Sequence, residues 1–408
     1  VASPYRELLT VPGARLFVTA GLVGRMSMSM VGIGIVLFVT AVTGSYGVAG
    51  AVTATLSVAF AVGAPLSARF ADRYGQHRVL APLAVANTVS FAALITVGQA
   101  RLPLWTLFTA AAAAGLTQVS LGAWVRARWA HALRETPARM HTAYSFESVV
   151  DETIFIAGPM LVTVLSTGVH PAAGLVASAT CTLSGSLALA GQRGTEPPPR
   201  PREPGGGDGV LRNTGLVVLT PVFLMLGMTF GSTDVTAVAF AEEQGHKALA
   251  GALIGCYALG SGVAALWYGA RHWNAPLARR FQAGLVLLVA GLVGPVLVGD
   301  LYLMMFVVFF AGLAISPTII PGFGLVERLV PAGALTQGLA LVSTAIGVGV
   351  ALGSSLAGRS VDWQGSRTTF LIPLGCAVAA ALIGMVGLRT MRKHESSSRL
   401  LVAPEPAE

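Results

Sequence analysis

Twelve apolar stretches run down this chain, and positive charge collects in every second gap between them. Of the 26 Lys and Arg residues, 21 fall around 1–15, 69–78, 126–139, 191–213, 271–280, 328 and 389–399. Only Arg101, Lys247, Arg359 and Arg367 occupy the intervening gaps, and Arg25 lies inside a stretch. A bilayer core of about 30 Å is crossed by ~20 apolar residues in a helix, and cytoplasmic loops collect Lys and Arg. The pattern predicts an all-α integral membrane protein, multi-pass in the cell membrane, with N- and C-termini cytoplasmic. The predicted spans are 16–42, 48–69, 79–98, 103–125, 143–166, 171–190, 214–241, 248–269, 281–298, 301–323, 335–357 and 367–389.

Composition closes off other classes. Charged residues make up 11% of the 408, where a soluble chain carries about a quarter. Twelve spans of about 22 residues leave short loops and no separate soluble domain. A net charge of +8 invites a nucleic-acid reading, but no basic stripe with interleaved aromatics accompanies it. Nucleic acid is therefore not an expected partner; the lipid bilayer is. Val1 to Arg15 reads as a short, mildly basic lead-in rather than a cleavable signal. Cys181, Cys256 and Cys376 sit in three different spans, which suits small packing residues and not a disulfide framework or a metal site. No cofactor is expected.

The longest polar interruption, Gly191–Asn213, contains Pro197-Pro198-Pro199 and Gly205-Gly206-Gly207. It reads as a cytoplasmic linker between an N-terminal six-helix bundle (1–190) and a C-terminal one (214–389), followed by a cytoplasmic tail (390–408). The halves share a faint echo: Ala49-Gly50-Ala51-Val52 opens span 2 and Ala250-Gly251-Ala252-Leu253 opens span 8. Such an echo fits two repeats related by an axis along the membrane normal.

The gap between spans 2 and 3 reads Ala68-Arg69-Phe70-Ala71-Asp72-Arg73-Tyr74-Gly75-Gln76-His77-Arg78. It resembles the signature loop of the major facilitator superfamily, with Asp72, Arg73, Gly75 and Arg78 matching. Ala68 and Gln76-His77 depart from that loop. Gly75 permits a sharp turn, and Asp72 can approach a positive helix N-terminus. The resemblance implies twelve transmembrane helices in two pseudo-symmetric six-helix bundles. It also implies a conformational switch in which Asp72 meets the start of span 11 near Leu335. Gly158-Pro159 in span 5 is similar to the helix-kinking Gly-Pro of the antiporter signature, without its other glycines. The counterpart loop, Gly269 to Arg280, keeps basic charge but lacks an Asp-Arg pair. Span 4 lacks the membrane arginine often found there in the family. Three stretches, Val125–Trp129, Phe146–Glu152 and Val326–Pro331, are similar to a group of actinobacterial permeases of the drug or metabolite exporter type.

Ionic residues inside spans cost roughly 2.5–3.5 kcal/mol each on insertion scales. They are Arg25 in span 1, Glu147, Asp151 and Glu152 in span 5, and Asp234 in span 7. Glu147 and Asp151, four apart, share a helical face, while Glu152 is turned about 100° from Asp151. At about 1.5 Å per residue, Arg25 and Asp151 lie at similar depths, some 14 and 12 Å from the cytoplasmic end. Spans 1 and 5 are neighbours in the fold that the resemblance implies, so Arg25 is expected to pair with Asp151 or Glu152. Glu147, nearer the surface, is expected to pair with Arg126 or Arg128. Two roles stay open for this cluster: proton coupling or substrate contact, and plain charge satisfaction between packed helices. The same holds for Asp234. Met26 and Met30, nearly on one face beside Arg25, suit either ordinary packing or a pocket for varied apolar ligands.

The reading that follows is a secondary active transporter working by alternating access, not an enzyme, and expected to act as a monomer. Export of a small apolar or amphiphilic compound in exchange for protons is the first expectation. Import of a nutrient or metabolite by proton symport is the alternative.

Overall fold

The computed structural model describes residues 7–136, 139–199, 214–271, 273–329 and 335–400, and all its regular structure is helical. Among the described residues twelve helices are long and apolar enough to cross a membrane. They are Ala14–Thr43, Tyr46–Tyr74, Gln76–Gln99, Trp105–Ala132, Thr142–Gly168, Ala173–Gly191, Gly215–Glu243, Lys247–Gly269, Leu277–Leu297, Leu301–Leu329, Leu341–Gln364 and Ser366–Gly387, numbered 1 to 12 below. An even number of crossings brings both ends of the chain to one side, called here the terminal end; the other is the far end.

Hydrocarbon offers no partner for a free backbone or hydroxyl group. Hydroxyls along span 7 accordingly bond back along their own helix, Ser232 to the Met228 carbonyl at 2.7 Å and Thr236 to that of Ser232 at 2.7 Å. Span 4 is interrupted. Helix runs over Trp105–Thr117 and again over Leu121–Ala132. At the break the fully buried Asn87 amide donates to the Ala114 carbonyl at 2.8 Å. The second segment carries the helix seven residues past the predicted end at 125, and so draws Arg126, Arg128 and Trp129 inside span 4.

Small residues let the two halves meet at the far end. A Cβ on Gly50 in span 2 would overlap the Ser354 carbonyl oxygen of span 11, and one on Gly251 in span 8 would overlap that of Pro159 in span 5. The repeated Ala-Gly-Ala segment thus marks two equivalent crossings, each joining one half to the other.

The buried core is organised the same way. At the far end one apolar cluster joins both halves, with Met30 and Ile33 of span 1 and Val162 of span 5 packed with Val238 of span 7 and Leu253 of span 8. At the terminal end the core divides. One cluster around Phe17, Leu80 and Trp129 belongs to the first six spans, and another around Phe223, Phe281 and Leu325 to the last six. One buried cluster is shared by both halves at the far end, while at the terminal end each half has its own.

Residues 200–213, most of the expected linker, and 401–408, the end of the expected tail, lie outside the described residues. The linker's opening segment is tied down. Arg128 donates to the Gln192 carbonyl at 2.9 Å and the Thr195 hydroxyl at 2.7 Å, and Glu196 bonds the His77 ring at 2.9 Å.

Candidate functional site

Arg25 is 2% exposed, and each of its guanidinium nitrogens has an acceptor. Its Nη2 donates to Glu147 Oε2 at 2.6 Å, its Nη1 to Asp151 Oδ1 at 2.8 Å, and its Nε to the Gly21 carbonyl at 3.1 Å. Asp151 accepts a second charged bond from Arg126 Nη2 at 2.6 Å. Glu147 accepts from the Trp129 indole at 2.7 Å, and that ring meets Phe17 edge-on. Two arginines and two carboxylates from spans 1, 4 and 5 therefore form a neutral, hydrogen-bonded unit. Gly122 lies directly against both arginines. A Cβ there would lie 3.3 Å from Arg126 Nη1 and 3.4 Å from Arg25 Cδ.

The expected Arg25–Asp151 pair is present. The expected partner of Glu147 is not. Arg126 goes to Asp151, and Arg128 turns away to Gln76 Oε1 at 2.9 Å and the Leu189 carbonyl at 2.9 Å. The physical reason is the longer span 4, which places Arg126 and Arg128 on different sides of a helix instead of in a loop. Arg126 and Trp129 are members of the site that the sequence reading placed outside the membrane. Their adjacency in Val125–Trp129 was the available signal.

Glu152 stands apart from this unit. Its carboxylate faces span 8, where a Cβ built on Gly262 would lie 3.4 Å from Oε2. Asp234, half-buried, sits about 14 Å below the far end of span 7 at 1.5 Å per residue. In span 8 the buried Tyr257 hydroxyl has no hydrogen-bond partner. Among the described residues neither acid forms an ion pair. The ionic groups of the spans thus fall, among the described residues, into a paired set on spans 1, 4 and 5 and two acids without an ion pair, Glu152 against span 8 of the other half and Asp234 in span 7.

In the loop between spans 2 and 3, Gly75 has φ +92°, a conformation that a side chain disfavours. Arg73 lies over the Tyr74 ring at 5.3 Å, and Arg78 lines a groove with Phe70 and Tyr74. The start of span 11 that Asp72 is expected to meet adjoins residues 330–334, outside the described residues. Gly158 and Pro159 lie in a helix that continues through them. There Ser29 of span 1 donates to the Ile154 carbonyl at 2.9 Å, and a Cβ on Gly158 would overlap Ser29 Oγ.

At the far end a second polar set ties the halves together. Asp362 of span 11 accepts from the backbone of Tyr46 at 2.8 Å and of Gly47 at 2.7 Å, and from the Ser45 hydroxyl at 2.6 Å. It caps span 2 from the other half. The Tyr46 hydroxyl donates to Glu242, which also pairs with Lys247 at 2.9 Å.

The family description Major Facilitator Superfamily matches residues 17–281 and 219–404. The chain belongs to that superfamily. Solved structures of this family's fold overlay nearly its full length. The crystal structure of the POT family transporter PepTSo matches with a TM-score of 0.70 at 10% identity, covering 94% of this chain and 99% of that one. The nucleoside transporter NupG gives 0.68 at 14%, covering 91% and 99%. A bacterial homologue of the iron transporter ferroportin, solved in an inward-facing state, gives 0.67 at 15%, covering 93% and 99%. At these identities the likeness is one of fold. No curated protein matches the chain by sequence. Family and fold make this superfamily member a multi-pass membrane protein and a secondary transporter of a small molecule.

Proposed function

We propose that this protein exports a small apolar or amphiphilic compound in exchange for protons. It acts as a monomer in the cell membrane, with both termini in the cytoplasm and the site open toward them. The observation that carries the reading is the separation of the ionic residues into a neutral, fully bonded set and two unpaired acids. Glu152 and Asp234 carry the exchangeable proton in this scheme. A carboxylate without a partner in a low-dielectric setting is most easily held neutral and loses its proton when water reaches it. The Arg25 set holds spans 1, 4 and 5 in register as one body, with Asp151 and Arg126 at its cleft edge. The division of the terminal-end core into one cluster per half supports a cleft on that side. The alternation of Lys and Arg supports assigning that side to the cytoplasm. The narrower resemblance to exporters, in Val125–Trp129, Phe146–Glu152 and Val326–Pro331, supports the direction, and the first two stretches include members of the Arg25 set.

The test is transport by the purified protein in vesicles with an imposed pH gradient and a panel of amphiphilic compounds. Gradient-driven extrusion is expected from the parent. Asp234→Asn and Glu152→Gln are expected to lose at least ten-fold in gradient-driven rate while still exchanging substrate for substrate at equilibrium. Gradient-driven transport that survives both substitutions rejects the proton assignment. Accumulation on the side opposite to that expected for an exporter makes the protein a symporter.

A further inference from the structure

The loop between spans 8 and 9 carries three arginines and, over 271–280, no acid at all. Its counterpart between spans 2 and 3 holds Asp72, and Glu196 lies against it. Among the described residues Arg271, Arg279 and Arg280 belong to no ion pair. Two of them are held by aromatic faces. Arg271 lies 5.4 Å from the Trp267 ring and 5.5 Å from that of Trp273, while Arg280 lies 5.5 Å from Tyr268 and 5.7 Å from Trp273. Trp273 stacks on Tyr268 at 4.6 Å, and its indole donates to the Tyr268 carbonyl at 2.9 Å, which fixes the scaffold. Arg280 reaches the Tyr268 hydroxyl, and its Nε is buried with no hydrogen-bond partner. Beside this cluster Leu266 and Trp267 are exposed on an apolar span, where hydrocarbon would cover them.

Guanidinium groups stacked on aromatic rings keep their N–H edges free, and those edges match phosphate oxygens two at a time. Tryptophan and tyrosine at a span end mark headgroup depth. The occupant that satisfies position and charge together is a lipid whose headgroup is anionic. We propose that Arg271 and Arg280, framed by Trp267, Tyr268 and Trp273, bind the phosphate of an anionic phospholipid in the leaflet at the terminal end. Its acyl chains run along Leu266. The lipid supplies the negative charge that this half lacks in its own loop.

The full-length protein in nanodiscs of phosphatidylglycerol, or of phosphatidylcholine, provides the test, with retained lipid read by native mass spectrometry. The parent is expected to retain phosphatidylglycerol selectively. That selectivity should fall about five-fold for each arginine replaced in Arg271→Gln and Arg280→Gln, the counterpart of about 1 kcal/mol per basic residue near an anionic surface. Arg101→Gln, in the gap between spans 3 and 4 on the far side, should leave it unchanged. Equal retention of the two lipids overturns the proposal. So does undiminished selectivity in the folded double variant, or displacement of the lipid by inorganic phosphate, which would make the cluster a site for a soluble anion. If the double variant fails to fold, rising salt on the parent must weaken the selectivity, and selectivity indifferent to salt overturns the proposal equally.

Discussion

Replacing Arg25 with methionine is expected to cost about 3–5 kcal/mol of stability, the penalty for removing one partner of a buried ion pair. Glu147 is fully buried and would keep only the Trp129 indole, and Asp151 would keep only Arg126. The unit would then carry an uncompensated negative charge in the low-dielectric interior, where it has no water to turn to. Charge balance makes the effect separable from general damage. In the double variant Arg25→Met with Glu147→Gln, the Asp151–Arg126 pair remains neutral and the new amide still accepts from Trp129. That variant is expected to recover at least half of the lost stability, read as the unfolding midpoint of the purified protein in detergent. Equal stability of the single and double variants would mean that net charge is not what holds spans 1, 4 and 5 together. Transport by the double variant bears on role. Retained gradient-driven flux fits a strut; loss of flux from a well-folded protein would move proton coupling onto this set.

Gly50→Val is expected to disable closure of the far end. A side chain there meets the Ser354 carbonyl, a backbone atom that cannot swing aside, and overpacking of this kind costs about 1–3 kcal/mol. In the proposed cycle the cost falls on one state only, since the far ends part in the other. A differential of that size shifts the equilibrium between states roughly 5- to 150-fold. Spin labels placed at Arg101 and Tyr302, one in each half at the far end, are expected to move apart in the variant, and net transport to fall by a similar factor. Asp362→Ala should act in the same direction more weakly, because it removes a cap worth ~1 kcal/mol and leaves the backbone contact in place. An unchanged label distance in Gly50→Val would show that this crossing does not hold the far end shut.

The two variants probe features of different legibility. Gly50 was visible as half of a repeated Ala-Gly-Ala, but only the packing shows that both copies face the opposite half. Glu147 was visible as an acid one turn from Asp151, yet its partner was assigned to the loop arginines. The error lay in the length of span 4. Apolar content falls after Val125, but the helix continues to Ala132 and carries Arg126 and Trp129 into the site.

Chain order alone determined how many times this protein crosses the bilayer, which gaps share a side, and how deep the charges well inside a span, such as Arg25 and Asp151, lie. Those quantities follow from a constant helical rise and a fixed hydrocarbon thickness. That is why Arg25 and Asp151 could be matched from depth by counting. Tertiary structure decided the direction each residue faces and what stands there: Glu152 toward Gly262, Arg128 toward the ends of spans 3 and 6, and one core shared by both halves at the far end. Rotation about a helix axis is set by contacts between segments distant in sequence, and side chains of similar polarity differ by little until those contacts choose among them.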